Sequence, residues 1–262
     1  MTYPKLDWLD VILADRPELI FESLVNEALR LPGNKVVWHD HFNPMSLSHA
    51  SGTNALRWNS NGHPDKGPPD SEVRWFHARS DFHPTELLDW TNEVNKVGRL
   101  AEILIVDDDL DVVSYRLQEF SPRGEADQKK LALGDCIPLV DRSSFALLES
   151  EHKLPSYLGG YVIDENQHQQ IKKSKARVYQ DLIDRGLFVR SGFKYGVRWR
   201  AYVSSDFSDH APWLISQPDS SPTDWISACQ GSRLASGVGK TMLIPVIQKN
   251  VRYLGVLRPP SD

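Results

Sequence analysis

Apolar positions recur along this chain in two registers, alternate residues for strands and every third or fourth residue for helices, and one strand-rich pattern occurs twice. The stretch "KVGRLAEILIVDDDLDVVSYRLQEFSP", Lys96 to Pro122, lines up with "GVGKTMLIPVIQKNVRYLGVLRPP", Gly237 to Pro260. Both read as a Val-Gly-cation step, a strand, a tight turn and a second strand that ends near proline. Upstream, "VRWFHARSDFHPTELLDW" (Val73 to Trp90) lines up with "APWLISQPDSSPTDWISA" (Ala211 to Ala228). Trp75 then matches Trp213, Asp81 matches Asp219, and Pro84-Thr85 matches Pro222-Thr223 at a helix start. Each copy predicts strand, turn, helix, strand, hairpin, strand. Between Ser174 and Gly186 the spacing changes to a helix, with Val178, Leu182 and Ile183 on one face and Gly186 as the stop. Next, "LFVRSGFKYGVRWRAYV" alternates like a twisted hairpin with turn glycines Gly192 and Gly196.

These elements predict an α+β fold in which one unit, a small mixed sheet flanked by helices, is duplicated. The first copy spans 1–120. A polar stretch with Gly and Pro, "SPRGEADQKK", forms a linker over 121–130. Residues 131–175 have no counterpart of similar length at the front of the chain and read as a small α/β N-terminal subdomain of the second unit, whose main domain occupies 176–262.

The Gly239-Lys240-Thr241 step invites comparison with a phosphate-cradling ATPase loop. That loop requires a glycine where Leu234 stands and a helix after the Lys-Thr pair, whereas "TMLIPVI" is a short apolar run containing a proline, the mark of a strand. Lys240 therefore opens a strand, and an ATPase is excluded.

Composition narrows the function. The chain is 40% apolar and carries a net charge of −5, so any affinity for phosphate must come from a local patch. One runs from Arg185 to Arg200, where Arg185, Arg190, Lys194, Arg198 and Arg200 interleave with Phe188, Phe193, Tyr195 and Trp199. Cations for phosphates beside flat rings for bases suit RNA, although a solvated strand edge has the same look. Cys136 and Cys229 are far apart and in no metal-ligand spacing, as expected of a reduced intracellular protein. The acidic start "MTYPKLDWLD" has no apolar signal core, and no apolar run approaches a membrane span, so a cytoplasmic protein without a membrane partner is expected. His39 and His41 in "WHDHF" alternate like a metal pair, but no third ligand accompanies them and no metal site is expected.

At "YQDLIDRGLFVRSGFKYGVRWRAY … DHAPWL … SRLASGVGKTMLIPVI" the chain resembles the archaeal tRNA-intron endonucleases. Their catalytic domain carries Arg-Gly, a Ser/Thr-Gly-x-Lys-x-Gly step, a strand-ending Tyr, a His before the next strand and a Lys after an Arg-bearing helix. The resemblance covers Tyr179 to Pro260 and implies catalytic positions at Tyr202, His210 and Lys240, with no cofactor. Three departures stand out: Val197-Arg198-Trp199 replaces an Ala/Ser-Asp-Phe step, Ala211 replaces a Ser after His210, and Gly239 stands where an Arg often precedes the Lys.

Metal-free RNA cleavage needs a base for the ribose 2′-OH, an acid for the leaving 5′-oxygen and a cation at the phosphorane. The resemblance assigns these to Tyr202, His210 and Lys240 respectively, with Tyr202 acting as base or merely orienting the hydroxyl. It further implies a precursor-tRNA substrate bearing a bulge-helix-bulge and not DNA, with Arg233 and Tyr253 clamping a bulge base. In the repeat alignment Arg99 faces Lys240, Glu72 faces His210 and the loop around Pro64 faces Tyr202, so the first copy should be inert. Its hairpin turn is acidic, "DDDLD", where the second copy has only "QKN". By resemblance Asp107, Asp108, Asp109 or Asp111 docks on the catalytic half of another chain, giving a homodimer with two active sites. Alternatives are a non-catalytic RNA-binding scaffold subunit and a metal-dependent nuclease; the latter needs carboxylates clustered near Lys240, and the sequence has none there.

Overall fold

The computed structural model describes residues 18–31, 33–125, 136–138, 144–147, 156–157, 160–164, 176–204, 210–216 and 221–259. The N-terminal decapeptide, residues 126–130 of the expected linker, Ser174, Asp219 and Pro260 lie outside the described residues. The chain forms two compact units: Met1–Glu119 with Pro222–Gly237 and Leu254–Asp262, and Phe120–Ser221 with Val238–Tyr253.

In the first unit, helix α1 (Glu18–Arg30) precedes strands β1 (Lys35–Trp38), β2 (Ala55–Trp58) and β3 (Ser71–His77). Helix α2 (Pro84–Lys96) then leads to the hairpin of β4 (Leu100–Val106) and β5 (Val112–Phe120). The order is β1-β2-β3-β4-β5, antiparallel except for parallel β3 and β4, which α2 connects. Proline at the first turn suits α2 because its missing N–H would have no partner there. Leu87, Leu88, Trp90, Thr91 and Val94 form its buried face at helical spacing. Val25 and Leu29 of α1 pack with Ala55, Val73, Leu104 and Val106 of the sheet.

Helix α4 (Trp225–Gly237) also belongs to this unit. The helix starts after the Pro222-Thr223 pair, and Asp224 Oδ1 accepts the Ser227 N–H at 2.7 Å as its cap. Trp225 is fully buried, stacked on Phe76 and edge-on to Phe82. Ser232 donates to the Val256 carbonyl at 2.7 Å.

In the second unit the order is α3 (Ala176–Asp184), β10 (Phe188–Ser191), β11 (Trp199–Tyr202), β12 (Trp213–Ile215), β13 (Thr241–Ile247) and the first residues of β14 (Val251–Leu257). Strands β10, β11 and β12 are antiparallel, and β12 and β13 are parallel. The same pairing sequence, two antiparallel steps and one parallel step, thus occurs in each unit. Gly186 ends α3 with φ +77°, and Val178 and Leu182 of α3 are fully buried against Leu187, Val189, Trp199, Ile215 and Leu243. Strands β6 (Cys136–Pro138), β7 (Ser144–Leu147), β8 (Ser156–Tyr157) and β9 (Gly160–Asp164) make a separate antiparallel sheet in the order β6-β7-β9-β8.

His39 and His41 do not alternate on a strand. Strand β1 ends at Trp38 and a single 3₁₀ turn, His39–His41, follows it, with His39 Nε2 3.0 Å from Asp40. Among the described residues no group of three His, Cys, Asp or Glu side chains is arranged to hold a metal, and no helix is long and apolar enough to cross a membrane.

Candidate active site

Strand polarity gathers the three residues singled out for catalysis at one end of the second unit's sheet. Strand β11 runs antiparallel to β12 with Ala201 opposite Trp213, while β12 runs parallel to β13 with Trp213 opposite Thr241. One residue further along that row stand Tyr202, Pro212 and Lys240, and the Thr241 N–H donates to the Pro212 carbonyl at 2.9 Å. The chain therefore leaves β11 through Tyr202 at the end where it enters β12 after His210 and β13 after Lys240.

Lys240 is 8% exposed, and its Nζ donates to the Ala211 carbonyl at 2.7 Å, the residue next to His210. An ammonium carries three N–H groups, so this bond fixes its position and leaves donors for a phosphate. The Tyr195 ring centroid lies 5.7 Å from the same nitrogen, within cation–π range. Gly239, found where an Arg is usual in the resemblance, has φ +67°. A side chain there would be strained, so the turn into β13 accounts for the departure.

Tyr202 is buried at 7% exposure, its ring 5.6 Å from the Arg200 guanidinium and 5.9 Å from that of Arg190. Arg190 and Arg200 are register partners across β10 and β11, and Arg200 shares a strand face with Tyr202 by alternation. His210 is exposed in the segment entering β12.

Arg185, part of the same basic stretch, serves the fold instead. It binds Asp181 at 2.6 Å, donates to Ser121 and to the Val251 carbonyl, and lies over the Tyr253 ring.

Tyr253 cannot take the base-clamping role expected of it. It is 0% exposed within the core of the second unit, and its hydroxyl donates to Asp181 Oδ2 at 2.7 Å. Burial and the neighbouring Asp181 carboxylate both keep its phenol protonated. No ring face remains for a nucleobase. Arg233, by contrast, is exposed on α4, and its Nε donates to Tyr115 Oη at 3.1 Å within the first unit. Burial pushes the Tyr115 phenol up to about 12, so at neutral pH a neutral hydroxyl accepts from the Nε edge of the guanidinium.

The acidic turn is a structured hairpin end. Asp107 Oδ1 accepts the N–H groups of Asp109 and Asp111 at 3.0 and 2.9 Å, and Leu110 adopts φ +65°. Asp108 is bound by Arg79, whose Nε lies 2.9 and 3.1 Å from its oxygens, and His77 lies 3.4 Å away. The Arg79 hydrogen bond holds the Asp108 carboxyl below the usual carboxylate range. Asp109 and Asp111 are exposed.

The parallel register corrects the repeat alignment. Leu100 pairs with Ser71 and its N–H binds the Asp70 carbonyl at 2.9 Å, as Thr241 pairs with Trp213 and binds Pro212. Trp213 thus corresponds to Ser71 and not to Trp75, and Glu72 does not stand opposite His210. Matching Trp75 to Trp213 aligns strands of different length, seven residues in β3 against three in β12.

Arg99 directly precedes β4 as Lys240 directly precedes β13, but its Nη1 is bound to Glu72 Oε1 and to the Ser48 carbonyl, both at 2.7 Å. Glu72 is 1% exposed and also accepts from the Ala50 N–H and the Thr53 hydroxyl. Arg99→Ala leaves this buried carboxylate without its cation and should cost about 3–5 kcal/mol in urea unfolding, whereas replacing both partners by Met should cost less.

Tyr115, hydrogen-bonded to Arg233, was not singled out from sequence, and Tyr195 entered only as one ring of the basic stretch, not as a neighbour of Lys240. The 3₁₀ turn that folds Tyr195 back, Phe193–Tyr195 between Gly192 and Gly196, was signalled only by those two glycines.

The family described as tRNA intron endonuclease, catalytic C-terminal domain, matches residues 173–253, which include Tyr202, His210 and Lys240. The tRNA-splicing endonuclease of Pyrococcus furiosus is 30% identical over 131 residues, 48% of this chain and 74% of the relative. That of Thermoplasma volcanium is 27% identical over 164 residues, 58% of this chain and 53% of the relative. That of Picrophilus torridus is 36% identical over 92 residues, 35% of this chain and 31% of the relative. The match thus spans about half the length of the Thermoplasma protein and a third of the Picrophilus one. With the match to the Pyrococcus relative extending over most of its length, this chain belongs to the tRNA-splicing endonuclease family.

Proposed function

We propose that the chain is an endoribonuclease that excises introns from precursor tRNA at bulge-helix-bulge junctions, working in the cytoplasm without a metal. The observation that carries the reading is the register bringing Tyr202, His210 and Lys240 to one end of the β11-β12-β13 sheet. The ribose 2′-OH attacks the adjacent phosphorus, with Tyr202 taking its proton as base or else orienting the hydroxyl while solvent takes the proton. The 5′-oxygen leaves with a proton from His210 while Lys240 balances the added charge of the phosphorane. The products are a 2′,3′-cyclic phosphate and a 5′-hydroxyl. A model precursor bearing a bulge-helix-bulge tests this: cutting should persist in excess EDTA with those two end groups. Loss of cutting on chelation, or a 3′-hydroxyl end, would overturn it.

The repeated order of elements supports a duplication in which the first unit has become structural. Its Lys240 counterpart, Arg99, is committed to Glu72, and it supplies instead an acidic turn. In this reading Asp109 and Asp111 dock on the catalytic unit of a second copy, since Asp108 already has Arg79, and a homodimer with two active sites meets the two junctions of one intron. Arg233 presents its guanidinium to a bulge base, recognition of splayed bases and shape being the rule for RNA. Asp109→Asn with Asp111→Asn should raise the dimer dissociation constant by at least about tenfold in sedimentation equilibrium, as expected for lost charge complementarity. An unchanged dimer would remove the docking role.

A further inference from the structure

The most exposed large apolar side chain among the described residues is Phe193, at 88% exposure, on the turn between β10 and β11. One exposed phenylalanine is ordinary, but this turn is built to hold it out. The Gly192 N–H binds the Arg198 carbonyl at 3.0 Å, the Tyr195 N–H binds Gly192 at 2.8 Å, and the Gly196 N–H binds Phe193 at 3.0 Å. A Cβ on Gly192 would meet a Val197 methyl at 2.6 Å and the Val197 carbonyl oxygen at 2.8 Å, so the chain can pass only as glycine. Gly196 closes the turn in the left-handed region at φ +69°.

The same turn is tied to the proposed catalytic centre. Tyr195, two residues from Phe193, turns its ring to within 5.7 Å of Lys240 Nζ and 5.0 Å of Lys194 Nζ. One turn thus carries the exposed Phe193 ring and, two residues on, a Tyr195 ring that two ammonium groups approach, one of them that of Lys240.

We propose that Phe193 is a substrate-binding residue on which an unpaired base flanking the cut stacks, with Lys194 holding a neighbouring phosphate. The inference rests on the RNA-cleaving reading and adds to it a contact made by this turn. The ammonium groups of Lys194 and Lys240, both against Tyr195 of the same turn, favour RNA over an apolar protein surface as the occupant. Stacking is indifferent to base identity because every base has a π face, so this contact contributes affinity and positioning with little sequence preference.

The experiment measures binding of the full chain to a bulge-helix-bulge RNA carrying 2′-deoxy nucleotides at both junctions, so that no cutting intervenes. Phe193→Ala should weaken binding by about 5- to 150-fold, the range for one lost base–aromatic stack. Phe193→Trp should bind at least as tightly as the parent, and Phe193→Leu should lie near Ala. The slope of log K against log salt should be unchanged by Phe193→Ala and reduced by about one by Lys194→Ala. With 2-aminopurine at successive unpaired positions, one position should show a fluorescence change on binding that Phe193→Ala abolishes. If the parent cuts precursor RNA but Phe193→Ala binds as the parent does, this inference fails and the functional reading stands. If Phe193→Ala instead shifts the oligomeric state with RNA binding intact, the tip is a protein interface and the inference is overturned. If the parent neither cuts nor binds the RNA, both fall.

Discussion

His210→Ala is expected to lower the single-turnover rate of precursor cutting by about 10²- to 10⁴-fold, the usual worth of a positioned general acid, with RNA affinity essentially unchanged. His210 is exposed and lies ahead of β12, so its loss leaves no cavity and disturbs no core contact. The departing 5′-alkoxide is a poor leaving group, and an acid matters most where such a group must be protonated. A substrate with sulfur in place of the bridging 5′-oxygen needs no such proton. The variant should therefore cut that substrate nearly as fast as the parent does. A variant equally slow on both substrates would remove His210 from the acid role.

Lys240→Ala should lower the rate constant by about 10²- to 10³-fold, the scale for deleting one donor aimed at developing charge. Two effects combine here. In the proposed mechanism the phosphorane loses its ammonium, and the Ala211 carbonyl, next to His210, loses its partner at 2.7 Å. Because Lys240 is nearly buried against Ala211 and Tyr195, the longer planar guanidinium of Lys240→Arg cannot reproduce the arrangement and should recover only part of the loss. Steady-state kinetics should show kcat and kcat/KM falling together, the mark of an interaction made in the transition state. A rise in KM with kcat intact would mean that Lys240 only binds RNA.

Much of the local architecture was legible because it depends on spacing. The α3 face of Val178 and Leu182, the stop at Gly186, the β10–β11 hairpin and the strand at "TMLIPVI" all follow from periodicity and from glycines at left-handed positions. Lys240 could be removed from the ATPase class because a strand and not a helix follows it, and the structure has β13 there.

What sequence could not supply was partnership. Tyr253 has the composition of a base-stacking residue, and only the three-dimensional core assigns its hydroxyl to Asp181 and its ring to Arg185. Arg185 looks like its basic neighbours until its three donor contacts are seen. Register was similarly hidden: tryptophans align easily by eye, yet the parallel pairing of Ser71 with Leu100 displaces Trp75 from the place of Trp213. Helix α4 falls within the second sequence copy but packs with the first compact unit through Trp225, a fact of long-range contact that no local pattern encodes.

The central claim is that the RNA supplies its own nucleophile and the protein supplies the proton transfers and the charge. It is tested most directly by a precursor bearing a single 2′-deoxy nucleotide immediately 5′ to one scissile phosphate. Cutting should vanish at that junction and continue at the other; a cut at the deoxy junction with an undiminished rate would contradict the account.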